Sequence, residues 1–163
     1  MPPQTPTPVR SVLVATDRSE SADYAVAWAA DMANRYEAEL HVLQVIVPQG
    51  APGTEAGQTE ATRASYAAED LKRVAAELAG ERGRAQVVID EDPSQAIVDA
   101  AEQADVDVVV VGNVGMSGRK EFLLGNVPNR VSHNVRCTVV IVNSAERPTE
   151  ESRGLGRLFR RDR

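Results

Sequence analysis

Residues 106–112 read VDVVVVG, a short segment that is almost entirely valine. A continuous apolar run of this length favours a strand that is buried on both faces, as in a parallel sheet covered by helices. Four other segments have the same character and complete a set of five predicted strands. They are SVLVATD at 11–17, ELHVLQVIV at 39–47, and the segments 85–90 and 138–143.

Segments with a helical apolar period lie between these strands. The first follows Ser19, the second covers about 59–79, the third opens at Asp92-Pro93, and the fourth carries Val127 and Val131. Helical crossovers between strands imply parallel pairing with right-handed connections. The sequence therefore predicts a single α/β domain, a doubly wound five-stranded parallel sheet with helices on both faces.

Composition divides the chain into three parts. The 163 residues fit one globular domain, which we place at residues 10–143. Residues 1–9 are rich in proline and threonine, and we expect them to form a disordered lead-in. Residues 144–163 form a polar, arginine-rich tail, which we expect to be solvated rather than in contact with a membrane. The first residues lack the apolar core of a signal peptide, so a cytoplasmic protein is expected.

Charge and cysteine content exclude several classes of function. The net charge of −6 argues against a general nucleic-acid-binding domain, which would normally be basic. Cys137 is the single cysteine, so no internal disulfide can form. The two histidines, His41 and His133, are far apart in sequence, and no cluster of zinc-ligand type is visible. We expect no metal site built from protein ligands alone.

The candidate site lies in VVGNVGMSGRKEFLLGNVPNRV, residues 110–131. Gly112, Gly115 and Gly125 stand there in a Gly-x2-Gly-x9-Gly spacing, between a predicted strand and a predicted helix. Glycine allows close approach of the backbone to a ligand, and the helix start offers N–H groups to a phosphate. The spacing matches neither a P-loop nor a dinucleotide fingerprint. The alternative is that these glycines serve only the turns.

The end of the first strand supplies the other half of this hypothesis. In open α/β sheets, ligands bind beyond the carboxyl ends of the strands, where the strand order reverses. If strands 1 and 4 are neighbours, then Ala15, Thr16 and Asp17 face the loop that starts at Gly112. Asp17 would there provide an acceptor, or a charge through a metal ion.

These residues resemble the universal stress protein family over residues 10–143. The resemblance is carried by VLVATDRSESA at 12–22, HVLQVIV at 41–47 and VVGNVGMSGRKEFLLGNVPNRVSHNVRCTVVIV at 110–142. The ATP-binding branch of that family is marked by Gly-x2-Gly-x9-Gly followed by Ser or Thr. The resemblance therefore implies a regulatory protein of the stress response that binds ATP at the switch point of the sheet, where Mg²⁺ could bridge the nucleotide to Asp17.

The resemblance also implies a role for each matching residue. Asp17 and the backbone of Ala15 and Thr16 would contact the adenosine, and Val45 would line the adenine pocket. The remaining residues of the expected nucleotide-binding set border the ribose or hold the phosphates; they are Val111, Gly112, Asn113, Gly115, Gly125, Asn126 and Val127.

Asn126 departs from the family pattern, because it replaces the Ser or Thr whose hydroxyl would reach the phosphate. An amide can donate a hydrogen bond but does not copy the geometry of a hydroxyl. AMP or cyclic AMP is therefore an alternative ligand, and a nucleotide-free interaction scaffold is another reading of the chain. No pairing of nucleophile and base stands out, so we expect no catalytic residues and at most weak ATP hydrolysis.

The last predicted strand, 138–143, is apolar and is expected to end the sheet. An apolar sheet edge invites pairing with another chain. The resemblance implies the same, since these domains usually dimerise through the last strand, and we expect a homodimer.

Overall fold

The computed structural model describes residues 7–49, 53–113 and 126–143. In these ranges, strands and helices alternate along the chain. Their bounds are β1 Ser11–Thr16, α1 Glu20–Tyr36, β2 Glu39–Ile46, α2 Glu55–Ala79, a 3-10 turn Gly80–Arg82, β3 Gly83–Ile89, α3 Pro93–Gln103, β4 Val108–Gly112, α4 Asn126–Asn134 and β5 Thr138–Val142.

The strands form one five-stranded parallel sheet in the order β3-β2-β1-β4-β5. This arrangement confirms the predicted fold class. The predicted adjacency of strands 1 and 4 is also confirmed, because Val12 is paired with Val108 and Val14 with Val110. The strand order reverses between β1 and β4, which makes this boundary the switch point of the sheet. β5 lies at one edge, as the sequence predicts.

Each face of the sheet is covered by a pair of helices. On one face, α1 and α2 pack against alternate residues of the strands, such as Val12, Val14 and Val42. On the other face, α3 and α4 pack against the intervening residues, such as Leu13 and Leu43. Both faces of β1 are therefore apolar, which explains the continuous apolar runs in the sequence. The central strand residues Val12, Leu13 and Val14 are at most 1% exposed.

Local contacts place several element ends differently from the sequence prediction. Helix α2 begins four residues before the predicted Thr59, because the Thr54 side chain caps it by accepting a hydrogen bond from the Gly57 amide. Strand β3 begins at Gly83 rather than Ala85, because Gly83 is paired with Leu40 of β2. These shifts leave the order of elements unchanged.

Strand β4 begins at Val108 rather than Val106. The preceding residue, Asp107, links the two central strands, because its carboxylate accepts hydrogen bonds from the backbone amides of Arg10 and Ser11. This contact fixes the start of β1 next to the start of β4. None of the helices in the described ranges is both long and apolar enough to span a membrane.

Candidate functional site

A crevice opens at the carboxyl end of the sheet because β1 and β4 stop pairing before either strand ends. Their register covers Val12–Val14 and Val108–Val110. Strand β4 then continues to Gly112 alongside β5, while β1 continues to Thr16 alongside β2. The tips of the two central strands therefore diverge. Such a divergence at the switch point is where open α/β sheets bind ligands.

A cavity occupies this crevice. It has an empty volume of about 510 Å³, including the part open to solvent. Its lining comes from β1 and the loop after it, from α1, β2 and β4, and from the first turns of α3 and α4. The lining residues are Ala15, Thr16, Asp17, Ala22, Val45, Pro93, Ile97, Val111, Gly112, Val127 and Pro128.

Most of the site residues that the sequence predicts within the described ranges line this one cavity. Those that the structure brings together there are Ala15, Thr16, Asp17, Val45, Val111, Gly112 and Val127. Two others do not line it. Asn113 is not in the lining, and its side-chain amide donates to Asn143 Oδ1 at 2.9 Å. Asn126 is the exposed first residue of α4. Gly115 and Gly125 lie outside the described residues.

Four of the lining residues were not predicted from the sequence. Ala22 belongs to the first turn of α1, and Pro93 and Ile97 belong to the start of α3. Pro128 is buried in the first turn of α4. Their position in the sequence is the feature that could have identified them, because each belongs to the beginning of a helix that follows a strand. The starts of such helices lie at the carboxyl edge of the sheet, where the cavity is.

The loop after β1 is held in shape by its own side chains. Thr16 Oγ1 accepts a hydrogen bond from the Arg18 amide at 3.0 Å, and Asp17 Oδ1 accepts one from the Ser19 amide at 2.9 Å. Ser19 in turn caps α1, as its hydroxyl accepts from the Ala22 amide. Thr16 is only 5% exposed. The polar rim of the cavity is thus fixed before any ligand arrives.

Two helix N-termini border the cavity, and they differ in what they can offer an anion. In α3, Asp92 Oδ1 accepts from the amides of Ser94 and Gln95, and Pro93 has no N–H. The Ala96 amide is bonded to the Asp92 carbonyl. The start of α3 is therefore closed by its own cap. Within the described part of α4, Asn126 and Val127 carry backbone N–H groups at the first helical positions, whereas Pro128 has none.

A side-chain contact joins the two helix starts. Arg130 of α4 forms two hydrogen bonds with the Asp92 carboxylate, with Nη1 at 3.0 Å from Oδ1 and Nη2 at 2.8 Å from Oδ2. These bonds, followed by the one from the Gln95 amide, hold the pKa of Asp92 below its ordinary value. Asp92 therefore stays ionised at neutral pH.

The cavity combines an apolar slot with few polar groups. Val45 and Val111 are 6% and 3% exposed, and together with Ile97 they form apolar walls. Among the lining residues, Asp17 carries the single ionisable side chain. In the described ranges, no group of three or more His, Cys, Asp or Glu side chains could hold a metal ion. The chemistry of the cavity suits a planar, uncharged ring with polar groups directed to the rim.

Known proteins share both the sequence and the fold. The sequence model of the universal stress protein family matches residues 8–143. Universal stress protein YxiE of Bacillus subtilis is 32% identical over 150 residues, covering 80% of this chain and 97% of YxiE. A universal stress protein of Mycolicibacterium smegmatis is 31% identical over 152 residues, covering 87% of this chain. The chain spans only about half (51%) of that relative.

A solved structure extends the comparison to the fold. It is the crystal structure of a universal stress protein in complex with cAMP, which is 30% identical in sequence and superposes with a TM-score of 0.60. The alignment covers 85% of this chain and 99% of the other. Since the family model spans nearly all of the described residues and the fold agrees, the chain belongs to the universal stress protein family.

Proposed function

We propose that this protein is an adenine-nucleotide-binding regulator of the stress response that holds its ligand in the switch-point cavity. The observation that carries the proposal is the lining of that cavity. The residues to which the family resemblance assigns the adenosine come from three separate strands, and the fold gathers them around one apolar slot. The relative solved with cAMP, at 30% identity, supports an adenine nucleotide as the class of ligand.

The base would lie between the apolar walls formed by Val45, Val111 and Ile97. Burial of the faces of the base supplies binding energy, and the polar atoms of Thr16 and Asp17 at the rim determine its orientation. The phosphate end would lie toward α4, because the start of α3 is closed by its own cap. The donors there are the first amides of α4, at the positive end of the helix dipole.

ATP is the ligand that the family resemblance of the glycine motif implies, and Mg²⁺, if bound, would be held at the phosphates with Asp17 as the carboxylate nearest to hand in the lining. A second candidate is cyclic AMP or AMP. It is favoured by the charge of the lining, in which Asp17 is the single ionisable residue, and by Asn126 at the first position of α4. The one negative charge of cyclic AMP, or the roughly two of AMP, requires less compensation at such a site than the charge of a triphosphate does.

Binding rather than turnover is the proposed activity. A ligand that contacts Val127 and Pro128 favours one position of α4, and α4 packs against β5. Occupancy of the cavity would in this way be transmitted to the edge of the sheet. We propose that this edge joins two chains into a cytoplasmic homodimer, since Val139, Val140 and Ile141 remain only half buried there.

The first test is to purify the protein without added nucleotide, denature it and identify the released small molecules by mass spectrometry. Calorimetric titration of the emptied protein with ATP and Mg²⁺, AMP, cyclic AMP and GTP would follow. Stoichiometric release or saturable binding of one adenine nucleotide, with GTP much weaker, supports the proposal. The absence of binding by every adenine nucleotide would overturn it in favour of the nucleotide-free scaffold.

A matched pair of variants tests whether the nucleotide binds in this cavity. Val127 lies in the cavity at the start of α4, whereas Val135 follows the other end of the same helix. Both are half buried. Val127→Phe should fill the slot and weaken binding at least roughly tenfold, or about 1.4 kcal/mol, while Val135→Phe should leave affinity unchanged. If Val127→Phe and Val135→Phe bind the nucleotide with the same affinity, the site lies elsewhere.

A further inference from the structure

We propose that Arg130 and Asp92 are positioning residues, which hold the two helical walls of the cavity at the separation that the ligand needs. The proposal rests on the proposed function, because it concerns the affinity of the same cavity. It assigns a role to a contact that lies outside the lining itself.

The contact has the geometry of a fork. Its two hydrogen bonds, of 3.0 and 2.8 Å, run in parallel between the guanidinium of Arg130 and the two carboxylate oxygens of Asp92. A bidentate pair fixes the orientation of its partners as well as their distance. The two residues are 38 positions apart in sequence, so the pair is a tertiary link between α3 and α4.

Each end of the link is directly attached to a wall of the cavity. Asp92 is the N-cap of α3 and precedes Pro93, which lines the cavity. Arg130 follows Val127 and Pro128, which line the same cavity. A shift of one helix start relative to the other would therefore change the shape of the cavity that both line.

Asp92 is itself anchored to the sheet. Its backbone amide donates to Asp90 Oδ1 at 2.7 Å, and the Asp90 amide donates to the carbonyl of Ile46 at 3.0 Å. Ile46 follows the cavity residue Val45 on β2. The chain of bonds thus runs from β2 through Asp90 and Asp92 to Arg130, and it ties α4 to the strand that would carry the base.

The pair is suited to fine positioning rather than to overall stability. The side chains of Arg130 and Asp92 are 52% and 39% exposed, and exposed pairs contribute little to the stability of a fold. Val131 of α4 is fully buried and keeps the helix on the sheet without the pair. Breaking the link should therefore leave the fold intact and loosen only the start of α4.

A competing role for Arg130 is direct contact with the phosphate, in which Asp92 would compete with the phosphate for the guanidinium. The two roles differ in their effect on ligands. A positioning pair affects adenosine and cyclic AMP alike, because both need the same slot. If Arg130 binds the phosphate, its loss weakens the binding of cyclic AMP alone. Removal of Asp92 would then release Arg130 and strengthen the binding of cyclic AMP.

The experiment compares Arg130→Gln, Asp92→Asn and the double variant by calorimetry with adenosine and with cyclic AMP. Asn at position 92 can still cap α3, so Asp92→Asn removes the ion pair and retains the cap. The control is Arg35→Gln, which breaks an exposed pair with Asp31 near the far end of α1. Thermal unfolding of every variant reports on the fold.

We expect both single variants to weaken both ligands by a similar factor, roughly threefold to tenfold, and the double variant to be no weaker than the singles. The two substitutions change the net charge in opposite directions. An equal loss therefore cannot arise from long-range attraction of an anion. Arg35→Gln should bind like the wild type.

Unchanged affinity for both ligands in both variants would overturn the proposal. So would a loss limited to cyclic AMP in Arg130→Gln with tighter binding in Asp92→Asn, which would make Arg130 a phosphate ligand. If the wild type binds neither of these ligands, hydrogen exchange in the ligand-free protein decides the inference, and the proposed function fails only if ATP and AMP do not bind either. Amides of α4 should exchange faster in both variants than in Arg35→Gln, and equal rates would refute the positioning role.

Discussion

Arg18 and Asp70 form an ion pair of 2.7 Å that joins the loop after β1 to helix α2. Arg18 has a φ of 66°, a left-handed conformation that is uncommon for a residue with a side chain. The ion pair holds this conformation from outside the loop. Because Asp17 immediately precedes Arg18, the same contact helps to fix the rim of the cavity.

Asp70 is the basis of a pH-dependence prediction. Partial burial disfavours its charge, but hydrogen bonds from Arg18 and Arg73 outweigh burial and lower its pKa. Because the pKa of Asp70 is lower in the folded protein, its carboxylate stabilises the fold at pH values above the ordinary pKa of an aspartate. This contribution is lost as the pH falls through the lowered pKa. Asp70→Asn should cost about 0.5–1 kcal/mol near neutral pH, after allowance for solvent screening.

Urea unfolding at a series of pH values checks this expectation. The stability curves of the wild type and Asp70→Asn should converge in acid, because protonation removes the same charge. Glu69→Gln on the same helix is the control, since its pair with Lys72 is more exposed, at 76% and 63%. A difference between wild type and Asp70→Asn that stays constant with pH would contradict the assignment.

Gly83 is required by the close approach of β3 to α2. A Cβ atom at this position would lie 2.1 Å from the Ala75 carbonyl oxygen, which is backbone and cannot move aside alone. Gly83→Ala should therefore destabilise the protein by about 2–3 kcal/mol. Gln86→Ala, at an exposed position of the same strand, should change stability by less than about 0.5 kcal/mol. Equal denaturation midpoints for the two variants would refute this account.

The proposed dimer predicts an effect at β5. Val140 and Ile141 lie on an edge strand whose outer side has no neighbouring strand within the described sheet. Replacement of either residue with lysine should convert a dimer into a monomer in sedimentation velocity, because a charge would be buried in the interface. Gln86→Lys on the opposite edge strand, β3, is the control. A dimer that persists in the Val140 and Ile141 variants would exclude this interface.

Cys137 is predicted to be a slowly reacting thiol. Burial first, and then the charge of Asp107, raise its pKa above the ordinary value. The thiolate is the reactive form, so its population at a given pH is reduced. Modification by a thiol reagent at about pH 8 should be slower in the native protein than after unfolding in urea. Equal rates in the two states would show that the surroundings do not control the thiol.

Much of the fold could be predicted from local patterns. The valine run of β4, the alternation of strands and helices, and the caps at Ser19 and Asp92 are visible in the sequence, and the structure confirms them. Element ends were less predictable. The start of α2 depends on Thr54, and that of β3 on pairing with β2, a segment more than thirty residues away in sequence.

The candidate site also has one part that the sequence predicts and another that depends on tertiary packing. The sequence by itself determined the residue types at the strand tips, the glycine spacing and the family, because these are properties of short contiguous segments. Only the tertiary structure decided that Ala22, Pro93, Ile97 and Pro128 complete the cavity, that Asn113 contacts Asn143, and that Arg130 meets Asp92. The physical reason is that β1 and β4 diverge at the switch point, and the packing of four helices on two faces determines which side chains meet in the resulting gap.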